Sequence, residues 1–414
     1  MSLHYKSIDN DIRKRFSEFQ VVRQEGYHAS IYTGLPNTFI HPFGLGGIRI
    51  AYPQWERYDP ELDCQNLAAG MRPKWITAEI AIRLFSEIIK PLHEELFSAC
   101  HIDGGKMVVL VEKDTYESIH FNPHDSTAAY PDERKLLMKS IGDAINSFEG
   151  RYIGAEDAGT CVADMDEIGK HTQYLACKSD ADGNPSPSTA RALFHGLRKI
   201  AMLRGHEQSL EGVVVGIYGV GNVGEPLVRY LSTDTKATLL VYDINEEKVA
   251  RLKNELKRMN STSNFEDILL NADIIVPCAK GDFLGQEHIE KMKSKVIVVG
   301  AANNFWQGKP SDALSCATML HARGGYTVPH YSTNLGGVLN VAMMPHFLKE
   351  ARIHATNEAD ARSVAETKMN NLTFCCAILQ EELFLEHKKT GLLPDEIMEL
   401  AVMTQVEAIL WNKR

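Results

Sequence analysis

"EGVVVGIYGVGNVGEPLVRYL", residues 211–231, decides the fold. Val213 to Tyr218 is a β-branched run of strand length, followed by a glycine turn and then residues of helical character. In the turn, Gly219-x-Gly221-x-x-Gly224 frames Asn222 and Val223. The glycines permit a tight bend, close approach of a pyrophosphate and close packing of helix on strand. The helix N-terminus favours the phosphate charge. The next strand, "ATLLVYD", ends in Asp243, about twenty residues beyond the last glycine, where a carboxylate hydrogen-bonds a ribose 2′-hydroxyl. Ile244 and Asn245 supply no cation for a 2′-phosphate, so the expected cofactor is NAD rather than NADP.

Outward from this unit, "ADIIVPCA" (272–279) and "KVIVVGAAN" (295–303) are short apolar runs of the kind buried in a parallel sheet. Strands alternating with helices give a doubly wound α/β domain. Upstream, Pro185 and Pro187 precede a helix whose Ala190, Leu193, Phe194, Leu197, Ile200 and Ala201 recur at threes and fours. The expected architecture is α/β with two domains. A first α/β domain spans residues 1–180, a Rossmann domain spans 181–349, and helices over 350–414 are expected to return and pack on the first. From about Glu350 one long helical stretch is expected to Lys389, then a break at "TGLLPDE" and a last helix to Trp411.

Composition narrows the function. With 44 Lys and Arg against 54 Asp and Glu, and a net charge of −10, the 414-residue chain offers no concentrated positive field for nucleic acid or an anionic membrane. The charged N-terminus, "MSLHYKSIDNDIRKRF", has no apolar core of a signal peptide, and the longest apolar runs are strand length. The eight cysteines show no C-x-x-C spacing and read as free thiols, so the expected location is the cytoplasm. No metal is expected: Pro123 separates His120 from His124, and that segment reads as surface loop.

A second stretch, "YIGAEDAGTCVADMD" (152–166), places four carboxylates around a glycine and a threonine. It is too acidic for a core strand and too apolar for a solvated loop, which leaves Asp157 as either a cleft acid or a turn residue. With "GLGGIRI", "GGKMVV", "GNPSPSTA", "GVGNVG", "YDIN", "PCA", "GAANN" and "NLGGVLNVA", this stretch resembles the glutamate/leucine/phenylalanine/valine dehydrogenases, leucine dehydrogenase most closely, over residues 44–342. The resemblance implies an active site in a cleft between the two domains and reversible oxidative deamination of an L-amino acid to a 2-oxo acid and ammonia. It assigns Lys106 as general base and Asp157 as proton carrier for the amino group. It places Leu45, Ala155, Val338 and Val341 around the substrate side chain, all apolar, which disfavours a glutamate-type substrate and implies a small apolar amino acid, leucine- or valine-like. A bulkier or specialised amino acid, or an NAD-binding homologue with impaired catalysis, remains the alternative. Gly46 and Gly47 would let backbone amides reach the substrate carboxylate, and Asn334 would touch the substrate. Thr189, Ala279 and Asn303 match positions along the cofactor. A homo-oligomer is implied as well.

Two departures stand out. Asp103 replaces the first of three glycines that precede the base lysine in the family, where an acid would raise the pKa of that lysine or stay turned outward. The carboxylate-binding lysine should also lie about a dozen residues before the base, yet Lys74 of "GMRPK" precedes Lys106 by 32 positions. Either Lys74 is that ligand and the amphipathic segment after it is inserted, or the insertion lies near residues 52–75 and Lys90, His93 or Glu94 takes its place.

Overall fold

A computed structural model describes residues 19–37, 39, 41–51, 59–88, 102–121, 129–262, 264–279, 281–301, 305–308 and 310–412. Two sheets organise it. The first is mixed and contains β1 (Phe19–Gly26), β2 (Ala29–Pro36), β3 (Gly44–Ala51), β4 (Asp103–Gly104), β5 (Lys106–Val111) and β6 (Tyr152–Glu156). β1 and β2 form an antiparallel hairpin, and β2 runs antiparallel to β5. β3 lies parallel to β4, β5 and β6. β4 and β5 follow one another beside β3, opposite Gly44–Leu45 and Ile48–Ala51, and the ladder is interrupted at Gly105. Lys106 opens β5 directly after that break, and the register against β3 is the same on both sides of it.

The second sheet contains β7 (Val214–Tyr218), β8 (Thr238–Tyr242), β9 (Met259–Ser261), β10 (Ile274–Pro277), β11 (Ile297–Val299) and β12 (Tyr326–Val328). All six are parallel in the order β9-β8-β7-β10-β11-β12, the doubly wound arrangement whose switch point lies between β7 and β10. Alternation sorts the two faces. Ile274 and Val276 pack with Leu193, Phe194, Leu197 and Leu227, whereas Ile275 packs with Ile268, Leu269 and Leu320.

The helix Pro60–Ile88 lies across the first sheet and buries Trp75, Ile76, Ala78 and Ile82. It begins before Lys74 and continues unbroken through Pro73. Ile378, Leu379, Leu383, Ile397 and Met398 from the last two helices join the same core. The single helical stretch expected from about Glu350 to Lys389 is instead the end of helix Gly336–Ala351 followed by two further helices, Glu358–Leu372 and Cys375–Thr390. The reason is local capping: the Asn357 side chain accepts from the Asp360 amide and starts a new helix. Gly391, at φ 76°, ends the third as expected at the "TGLLPDE" break.

Candidate active site

Lys106, 2% exposed, donates to Asp157 Oδ2, and Arg49 Nε donates to the same oxygen at 3.3 Å. Asp157 follows β6 in a tight turn: its amide donates to Thr160 Oγ1 at 2.9 Å, and the Thr160 amide donates back to Asp157 O at 2.9 Å. The glycines opposite have steric reasons to be glycines. A Cβ on Gly47 would lie 2.4 Å from Asp157 Cβ, and one on Gly46 would lie 1.6 Å from Gly105 O. They bring Asp157 and the Gly105–Lys106 bond against β3, which is a different reason from the one the sequence reading offered.

Lys74 is buried, and its Nζ donates to Asn334 Oδ1 at 3.2 Å. Asn334 Nδ2 in turn donates to Ala301 O, which ties the site to the segment after β11. Lys90, His93 and Glu94 lie outside the described residues. Burial and the neighbouring Lys106 pull Lys74 down to about 8, against the opposing pull of Asp157. Burial likewise lowers Lys106, with Asp157 opposing and Arg49 assisting. Burial works against the charge on Asp157, but Lys106 and Arg49 outweigh it and hold the carboxyl well below the usual range.

The other acids of the 152–166 stretch divide between structure and cleft. Asp164 is buried, accepts from Arg134 Nε at 2.6 Å and from Arg134 Nη2 at 2.7 Å, and caps the Cys161 amide at 2.7 Å. Asp166 accepts from the Ser179 amide at 2.9 Å. Glu156 faces the second sheet, where Asn222 Nδ2 donates to its Oε1 at 3.4 Å. Burial, with Asp157 and Asp164 nearby, raises Glu156 to about 7. Asp103 neither turns outward nor stands alone beside the base, because it is buried against Arg72.

Leu45, Ala155 and Val338 share one apolar cluster, with Val341 packed against it. On the other sheet, Gly219 has φ 97°, and a Cβ there would lie 2.7 Å from Ala279. A Cβ on Gly224 would lie 1.9 Å from Gly219 O, whereas one on Gly221 would meet nothing within 4 Å. The turn is therefore packed on its inner side and open at Gly221, beside the N-terminus of helix Gly224–Asp234, as a pyrophosphate requires. Asp243 sits on this turn, accepting from the Val220 amide at 2.7 Å and the Asn245 amide at 2.8 Å. Thr189 donates to Pro185 O at 3.1 Å and faces Gly337, where an added Cβ would lie 2.8 Å from its hydroxyl. Asn303 and His124 lie outside the described residues, and His120 is exposed. No metal-binding cluster and no helix long and apolar enough to cross a membrane occur among the described residues.

Arg49, Arg72 and Glu156 escaped the sequence reading. Arg72 and Asp103 carried a signal: opposite charges in two otherwise apolar segments that both lead into site lysines. Arg49 alternates with apolar neighbours like any half-exposed strand residue and carried none.

Residues 195–304 match the model of the NAD binding domain of D-isomer specific 2-hydroxyacid dehydrogenases, and NAD is the cofactor of that domain. Leucine dehydrogenase of Geobacillus stearothermophilus is 39% identical over 215 residues, 51% of this chain and 56% of its own length. The chain thus spans a little over half the length of the leucine dehydrogenases it matches. Valine dehydrogenase of Streptomyces virginiae is 34% identical over 305 residues, 72% of each chain. The crystal structure of L-tryptophan dehydrogenase from Nostoc punctiforme shares the fold at TM-score 0.60 and 21% identity, covering 96% of this chain and 98% of that one. The hetero-hexameric glutamate dehydrogenase from Thermus thermophilus does so at TM-score 0.64 and 14% identity, over 97% and 92%.

Proposed function

The chain belongs to the glutamate/leucine/phenylalanine/valine dehydrogenase family, and we propose that it oxidatively deaminates small apolar L-amino acids. The amino acid, NAD and water give the 2-oxo acid, ammonia, NADH and a proton, reversibly. The observation that carries this reading is the convergence of the buried Lys74 and Lys106 with the half-buried Asp157, beside an apolar cluster.

The Gly219–Gly224 turn and Asp243 would hold NAD, which would supply the acceptor for the hydride leaving the substrate α-carbon. Lys74 pairs with the substrate carboxylate and orients the α-carbon, and Asn334 holds the Lys74 ammonium in place. Asp157, ionised and flanked by Lys106 and Arg49, pairs with the substrate ammonium and receives its proton. Burial makes a neutral Lys106 accessible, so that its amine deprotonates the water that adds to the imine carbon. Leu45, Ala155, Val338 and Val341 line the side-chain end and leave a second carboxylate without a partner there. Asp243 favours NAD over NADP by repelling a 2′-phosphate.

The pairing of Asp103 with Arg72 supports an active enzyme over a silent NAD binder, because the acid near the base is compensated elsewhere. We further propose a homo-oligomer in the cytoplasm, divided near residues 180 and 350. The test is NADH formation from a panel of L-valine, L-leucine, L-phenylalanine, L-tryptophan and L-glutamate. Turnover should be highest with a small apolar substrate, and absence of NADH with every member of the panel refutes the reading.

A further inference from the structure

Arg72 and Asp103 form a buried, doubly hydrogen-bonded pair. Nε donates to Oδ1 at 2.6 Å and Nη2 donates to Oδ2 at 3.2 Å, with residue exposures of 1% and 0%. Asp103 Oδ1 also accepts from the Gly104 amide at 2.8 Å, and the guanidinium lies 4.9 Å from the centre of the Phe19 ring. A fully buried pair is poor evidence for stability, since well-packed apolar residues often serve as well or better. What distinguishes this pair is its placement. Arg72 stands two residues before Lys74 on the long helix, and Asp103 stands three residues before Lys106 at the interrupted β4–β5 edge.

We propose that the Arg72–Asp103 pair is a positioning clamp that sets the helical register of Lys74 against Lys106. It rests on the deaminase reading above. A helix advances about 1.5 Å and turns about 100° per residue, so a slip of one residue would carry the Lys74 ammonium away from Asn334. Backbone packing alone resists approach but not sliding: a Cβ on Gly104 would lie 2.5 Å from the Arg72 amide, so helix and strand touch there as bare backbone. The bidentate fork opposes both sliding and rotation, as a single hydrogen bond does not. Trp75 Nε1 donating to Leu45 O at 3.2 Å is a second, neutral anchor on the same turn.

The decisive variant removes both charges at once, Arg72→Met with Asp103→Ala, so that neither partner is left buried and unpaired. A clamp predicts a KM for the amino acid raised about tenfold and a lower kcat, with NAD affinity and the cooperativity of unfolding retained. It also predicts that the pH dependence of Lys74 acetylation, followed by mass spectrometry, moves toward that of an ordinary lysine. The acetylation readout needs no turnover. If the wild type forms no NADH from any amino acid, the deaminase reading fails while the clamp is still tested. Wild-type KM together with a wild-type Lys74 profile in the double variant overturns the clamp. So does a double variant and an Arg72→Lys variant that both fail to fold, which would make the pair part of the core and nothing more.

Discussion

Lys74→Met tests the site at the group whose assignment the sequence left open. The ammonium is buried, and its fall from 10.5 to about 8 means that burial and Lys106, net of the opposing pull of Asp157, work against the charge by about 3 kcal/mol. A substrate carboxylate offsets that cost and is in turn held by the cation. Removing the cation therefore forfeits about 2–4 kcal/mol, within the range for truncating one partner of a buried charged pair. Because the interaction is made in both ground and transition states, the loss should fall mainly on KM, which rises on the order of 30- to 1,000-fold, with kcat changed little. The assay is initial-rate NADH formation against amino acid concentration, with NAD affinity measured separately by fluorescence titration. Its pH dependence provides an internal check. Free Lys74 is charged below about 8 and neutral above, so wild-type KM should be flat at lower pH and rise about tenfold per unit above it. The variant should lose that rise, and Lys90→Met should keep the wild-type profile. A Lys74→Met enzyme with KM within threefold of wild type and the same pH profile refutes the assignment.

Lys106→Ala should lower turnover by about three decades, because base and buried electrostatics are lost together, while NAD affinity stays the same. Stopped-flow turnover and a binding titration read the two separately. NAD should bind at least about tenfold tighter than NADP, and Asp243→Ala should narrow the gap; equal affinities in the wild type would contradict the role given to Asp243. Glu156→Gln should be more stable than wild type at pH 8 and equal to it near pH 4. A carboxyl raised to about 7 by burial holds its proton in the folded state while the unfolded chain releases it near 4.5, so wild-type stability falls as pH rises through that interval and is level above it. Urea midpoints at pH 4, 5, 6, 7 and 8 measure the difference, and parallel curves for the two proteins would exclude a buried, protonated Glu156.

The dinucleotide half was legible because its signals are backbone signals. A turn that needs φ 97° at Gly219 and no side chain at Gly224 admits few residues, and the period-2 alternation of Ile274, Ile275 and Val276 matches the two faces of a doubly covered sheet. The substrate half was less legible because its contacts are long-range. Lys74 meets Asn334 from 260 positions away, and Arg49 meets Asp157 from 108 away. Neither pairing leaves a trace in local periodicity. The helical stretch after residue 350 was over-extended for a related reason. Its breaks at Asn357 and Thr373 carry no glycine or proline, and an asparagine cap looks in sequence like any exposed polar residue.

The charge arrangement also bears on why the substrate should be a monocarboxylic amino acid. Lys74, Lys106 and Arg49 surround a single ionised Asp157, so the resting site carries excess positive charge. On the proposed mechanism an amino acid would bring one carboxylate for Lys74 and one ammonium for Asp157, and the ammonium would displace Lys106 from the shared oxygen. That exchange lets Lys106 shed its proton, because Asp157 is the group that most opposes the lowering of its pKa. Substrate binding and base activation are then one event, and a 2-hydroxy acid, which lacks the ammonium, would fill the carboxylate position without freeing the base. Such an acid should bind competitively with the amino acid and form no NADH at pH 8, whereas oxidation of a 2-hydroxy acid at a comparable rate would disconnect Asp157 from the control of Lys106.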